Sequence, residues 1–128
     1  MTIQTYRDLE VWQEAMSLTT EVYHLTRSYP REETYGLTSQ TQRAAVSVPA
    51  NIAEGHSRKS RKEFHHHVSI ARGSLAELET HLLLAHRLEY LTRQEMEKVW
   101  EMAQRVGRLV NGLLRSLKET DRPPIPDA

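Results

Sequence analysis

The sequence predicts an all-α protein, an antiparallel up-and-down four-helix bundle. Apolar residues recur at alternating steps of three and four through four segments. The links between those segments are short, which places consecutive helices side by side in opposite senses. Nowhere does the chain alternate apolar and polar residues at the period of a strand, and runs of β-branched residues are absent. With 128 residues it is one domain's worth, read here as a bundle over residues 1–120 and a flexible tail over 121–128.

The first helix spans about Asp8 to Ser28 and ends at Tyr29-Pro30. Leu9, Trp12, Met16, Thr19 and Tyr23 make one stripe, and Val11, Ala15, Leu18, Val22 and Leu25 make a second beside it. At about 100° per residue the two cover more than half the circumference, whereas an outer helix of a bundle needs a stripe of only about 100°. The surplus predicts a second burial surface, most simply another subunit, and assigns it Val11, Ala15, Leu18, Val22 and Leu25. The alternative is that Val11 and Leu18 are ordinary surface apolars.

Helix 2 starts near Glu32 or near Thr38 and carries the stretch Gln40 to Gly55, rich in small residues. Leu37, Thr41, Ala44, Val48, Ile52 and Gly55 share one face. Pro49 lacks an N–H, which deprives the Ala45 carbonyl of its usual donor and predicts a kink near Pro49. Packing, water, or a polar side chain such as Ser47 or Asn51 is expected to offset the loss. The alternative is two short helices broken at Pro49.

Ser60 and Glu63 have the spacing of a capping box for helix 3, whose seam is Phe64, Val68, Ala71, Leu75, Leu78, Leu82 and Ala85. Gly73 lies on its back with Ile70, Leu84 and Leu88. A mid-helix glycine costs about 1 kcal/mol against alanine, so a neighbouring backbone is expected close by. Thr92 and Glu95 repeat the box for helix 4, with a seam of Met96, Val99, Ala103, Val106, Val110, Leu113 and Leu117. Acids lie early in this helix and bases late, as the helix dipole favours.

Seventeen Lys and Arg balance seventeen Asp and Glu, so attraction to a polyanion must come from local clustering. There is no cysteine, which excludes disulfides and thiolate metal sites. No apolar run approaches membrane-spanning length, and the start has no apolar leader, so a cytoplasmic protein without a membrane partner is expected.

Two Glu-x-x-His pairs, Glu21 with His24 and Glu63 with His66, have the spacing of bundle di-metal ligands, but both fall off the inward seams. His65, His66 and His67 fan over about 200° of a helix and cannot converge on one ion. No nucleophile with a base and no phosphate loop is evident, so no catalytic residue, metal ligand or cofactor is assigned. The charge feature that stands out is Arg58, Lys59, Arg61 and Lys62 at the start of helix 3. Cations there work against the helix dipole, which points to an anionic partner. Arg43 could extend the patch, and the competing reading is an ordinary solvated turn.

The segment PREETYGLTSQTQRAAVSVPANIAEG, then ARGSLAELETHL, with LEVWQEA upstream, resembles the four-helix bundle proteins associated with 23S rRNA intervening sequences. That group looks like the accessory variability protein of diversity-generating retroelements. The resemblance implies a bacterial, non-enzymatic bundle and a homopentamer. It also implies RNA or DNA and a reverse transcriptase, or another protein, as partners. Asn51, Glu54, Gly55, Gly73 and Glu77 match its motifs and read as architectural. The expected function is a nucleic-acid-associated accessory or scaffold that binds through Arg43, Arg58, Lys59, Arg61 and Lys62. Two other readings stand beside it: a protein-binding module that binds no nucleic acid, and a metal-dependent bundle enzyme.

Overall fold

A computed structural model describes residues 2–120, with the side chains of residues 119 and 120 outside the description. The expected tail, 121–128, lies outside the described residues. Four helices account for most of the chain: α1 (Glu10–Thr26), α2 (Leu37–Ser57), α3 (Arg61–Arg87) and α4 (Arg93–Thr120). Short 3-10 turns at Tyr6–Asp8 and Arg31–Glu33 precede α1 and α2. Among the described residues there is no strand.

Each helix packs against two neighbours, α1 on α2, α2 on α3, α3 on α4 and α4 back on α1. Side-chain pairs fix the registers. Thr19 meets Ala45 and Gln42 meets Thr26 across α1 and α2. Ser47 meets Ser74 and Asn51 meets His67 across α2 and α3. Gln104 meets Glu79 across α3 and α4, while Arg105 reaches Glu10 and Lys98 reaches Glu21 across α4 and α1. In the α1–α2, α2–α3 and α4–α1 interfaces, position rises along one helix as it falls along the other.

The core is one cluster. Val68, Ala71, Leu75, Leu78, Leu82 and Ala85 of α3 fill it with Met96, Val99, Ala103, Val106 and Val110 of α4, at the spacing the sequence predicts. Two seam positions shift. Phe64 is only half-buried at the open end, and the last turns of α4 bury Leu114 rather than Leu113. A step of four from Val110 keeps the face inward where a step of three would rotate it away.

In α1 it is the second stripe that lies deepest. Val11, Ala15, Leu18, Val22 and Leu25, expected at a subunit interface, are buried in the chain's own core. Met16 and Tyr23, on the stripe expected to face inward, are each 42% exposed. Periodicity reports that a helix has two apolar sides, and packing decides which one faces in.

Helix α2 begins at Leu37 and runs through Pro49 without a break, so two separate helices are excluded. The Ala45 carbonyl, deprived of its donor by the proline ring, accepts instead from the Thr19 hydroxyl of α1 at 3.1 Å. The expected donors were Ser47 and Asn51. They bond elsewhere: Asn51 Nδ2 donates to the Ser47 carbonyl and hydroxyl, and Ser47 Oγ lies 2.7 Å from Ser74 Oγ. Thr19 also reaches the Ala15 carbonyl at 2.8 Å, so its single proton serves two acceptors.

Both caps predicted from sequence form, one of them in part. Thr92 and Glu95 make both arms of the box, at 2.9 and 3.1 Å. Ser60 Oγ accepts from the Glu63 N–H at 3.3 Å, and only this half of the α3 box closes. At its other end α3 stops in a Schellman arrangement. Tyr90 N–H donates to the Ala85 carbonyl, Glu89 N–H donates to His86, and Glu89 takes φ 64°.

Candidate nucleic-acid interface

The turn from α2 to α3 carries the predicted cations. Arg58 closes α2, Lys59 adopts a left-handed φ of 59°, and Ser60 caps α3. Three residues, Arg58 to Ser60, suffice for the turn because Gly55 lets α3 come close. A Cβ at Gly55 would stand 2.6 Å from His67 Cβ and 3.1 Å from the Phe64 ring. All four cations, Arg58, Lys59, Arg61 and Lys62, are exposed at this corner.

Their surroundings differ. Arg58 donates to Glu54 at 2.8 Å, and that hydrogen bond holds the Glu54 carboxyl below its ordinary range and raises the guanidinium further. Lys59 and Arg61 line a groove of about 320 Å³ with His56, Ser60, Phe64 and Leu117. Arg43, expected to extend the patch, does not reach it. It stands fifteen residues from Arg58 along one helix, roughly 22 Å at 1.5 Å per residue. There it lines a separate groove of about 310 Å³ with Gln40, Ser47, Ser74 and Glu77.

Sequence reasoning missed a second basic feature. A trough of about 560 Å³ between α3 and α4 is lined by His65, Ser69, Arg72, Asn111, Leu114, Arg115 and Lys118. A narrower extension of about 210 Å³ shares Arg72 and Asn111 and adds Arg108, Gln104 and Glu79. The signal was present as heptad spacing: Gln104, Arg108, Asn111, Arg115 and Lys118 recur at steps of four and three, facing His65, Ser69, Arg72 and Glu79. Cations that are adjacent in sequence drew attention away from cations that share a face.

The remaining clusters support little chemistry. Glu21 pairs with Lys98 at 3.4 Å, and Glu63 and His66 are exposed. Among the described residues no group of three or more His, Asp or Glu could hold a metal ion. None of their helices is long and apolar enough to cross a membrane.

Fold and surface together define a small four-helix bundle with basic grooves at one corner and along one helix pair. Residues 7–112 match the 23S rRNA-intervening sequence protein family, and the chain belongs to that family. It is also similar to a solved structure from Bacteroides thetaiotaomicron VPI-5482, described as a protein with unknown function from the S23 ribosomal protein family. The TM-score is 0.76 at 24% identity, covering 82% of this chain and 95% of the other, a likeness of fold. No curated protein matches the chain. Neither the family nor the solved relative is described with an activity.

Proposed function

We propose that this protein is a non-enzymatic, nucleic-acid-associated accessory or scaffold protein of the cytoplasm. It is built as an antiparallel up-and-down bundle with α2 bent at Pro49, and it assembles as a homo-oligomer, a pentamer if it follows the family resemblance. The observation that carries the reading is the basic corner, where Lys59 and Arg61 line one groove and Lys62 stands exposed beside them. The opposed registers of the side-chain pairs support the antiparallel arrangement.

The corner's binding to RNA or DNA should weaken steeply with salt, because cations that neutralise phosphates release counterions. Titration of labelled RNA at about 50 mM and 200 mM salt tests it. Replacement of Arg58, Lys59, Arg61 and Lys62 by alanine should weaken binding and flatten the salt dependence. Binding that is absent at low salt, or unchanged in that variant, sinks the proposal. A reverse transcriptase or other protein partner would join through the same assembly.

The buried stripe of α1 is not the face proposed for assembly. Support shifts to the outer face of α3, where Ile70, Leu84 and Leu88 are 40–46% exposed. A Cβ added at Gly73 of that face would meet nothing within 4 Å. Leu84→Arg should release 14.9 kDa monomers on sedimentation. A wild-type protein that already sediments as a monomer at micromolar concentration excludes the oligomer.

A further inference from the structure

We infer that the trough between α3 and α4 is a track for a single nucleic-acid strand, with Arg72, Arg108, Arg115 and Lys118 contacting successive phosphates. The inference rests on the nucleic-acid reading above but concerns a different surface.

Pairing is the first observation. Across the α1–α4 interface the cations are neutralised: Arg105 bridges Glu10 at 2.7 Å and Glu14 at 3.1 Å, and Lys98 meets Glu21. On the opposite side of α4 none of Arg108, Arg115 and Lys118 has an ion pair among the described residues, nor does Arg72 across the trough. Among the described residues, the wide part has no carboxylate in its lining. Glu79, at the far end of the extension, is already engaged by Gln104 Nε2 at 2.8 Å. A row of unpaired cations along one groove and paired cations along the next is an asymmetry that folding alone does not require.

Shape narrows the ligand. From Arg108 to Lys118 the row covers about 15 Å at 1.5 Å per residue, too long for one phosphate and open along its length. Guanidinium groups match phosphate oxygens in paired hydrogen bonds, and His65, Ser69 and Asn111 add polar groups on both walls. A bound peptide would want apolar pockets for its side chains, and among the described residues Leu114 is the sole apolar side chain lining the wide part. A flexible phosphodiester strand fits these features.

The test uses the full chain and a labelled twelve-nucleotide single-stranded RNA, read by fluorescence anisotropy from about 50 to 200 mM salt. Each phosphate contact on a single strand contributes about 0.7 to the slope of log affinity against log salt. Arg72→Ala with Arg115→Ala should therefore lower the slope by about 1.4 and weaken binding roughly 25-fold at 0.1 M salt. Arg72→Lys with Arg115→Lys keeps the charge and should keep most of the slope. Both positions are exposed, and circular dichroism checks that the helices remain.

If the wild type binds, the corner variant weakens it and the trough variant leaves it unchanged, the track is wrong while the nucleic-acid reading stands. Absence of binding by the wild type removes both. A mononucleotide that binds as tightly as the twelve-mer, or an acidic peptide that displaces it equally well, also overturns the track.

Discussion

Gly55 and Gly73 both sit inside helices, yet their surroundings differ completely. At Gly55 a methyl group would press within 2.6 Å of His67 Cβ, an atom fixed to the α3 backbone. Gly55→Ala should therefore push α3 outward and cost about 1–3 kcal/mol, the usual penalty for overpacking, measurable by urea denaturation. Thr19 is as specific. Thr19→Val keeps the shape but removes the proton offered to the Ala45 carbonyl. The orphaned carbonyl should cost about 1–3 kcal/mol, and Thr19→Ser should restore much of it. Neither role was legible in sequence. The empty valence at Ala45 could be deduced from Pro49, but the donor lies 26 residues away on a helix whose inward face periodicity left ambiguous. The closeness at Gly55 could be suspected only from its position in the last turn of α2, just before a three-residue link.

At the scale of one element, α3 contains both a flaw and a vacancy. Glu89 holds a left-handed conformation at its C-terminal cap, where glycine is the unstrained choice. Glu89→Gly should stabilise the fold by roughly 0.5–1 kcal/mol, seen as a higher thermal midpoint. Gly73 faces open space, so Gly73→Ala should stabilise the isolated chain by up to about 1 kcal/mol. If that face meets another subunit closely, the same change should weaken assembly while strengthening the helix. Sedimentation together with thermal melting separates the two. The seams of α3 and α4 were read from sequence almost residue for residue, because a helix buried along a single stripe leaves no choice of face. Helix α1, apolar on two sides, left that choice open, and the stripe expected to face outward is the one that lies deepest. The basic trough went unread for a related reason: its cations lie on two elements and acquire meaning only when those elements pack.

For the whole molecule, the end opposite the basic corner is tied by tyrosines. Tyr90 Oη donates to Glu33 Oε2 at 2.8 Å, and Glu33 Oε1 accepts from the Leu37 N–H, joining the link before α2 to the link before α4. The bond to Glu33 raises the Tyr90 hydroxyl above its ordinary range. Tyr29, 7% exposed and with its ring tilted against that of Tyr90 at 5.5 Å, is pushed up to about 12, first by burial and then by the Glu95 charge. Both hydroxyls stay protonated in the folded chain where the unfolded chain would lose the proton near pH 10. The Tyr29 contribution is complete below pH 10 and is lost as pH rises toward 12, and that of Tyr90 changes in the same direction. Thermal midpoints should fall across that window, and Tyr29→Phe should flatten the fall. At neutral pH that variant should be neutral or slightly stabilising, since the Tyr29 hydroxyl is buried without a partner among the described residues.

The loan of a proton from α1 to α2 has a further consequence. A missing donor in one rod, made good by the next, sets how far the two can slide or turn against each other. Any displacement would strand a lone pair in hydrocarbon. The five-membered ring of Pro49, usually regarded as a weak point, thus acts as an indexing notch. A gliding motion between the first two helices is therefore disfavoured from the outset.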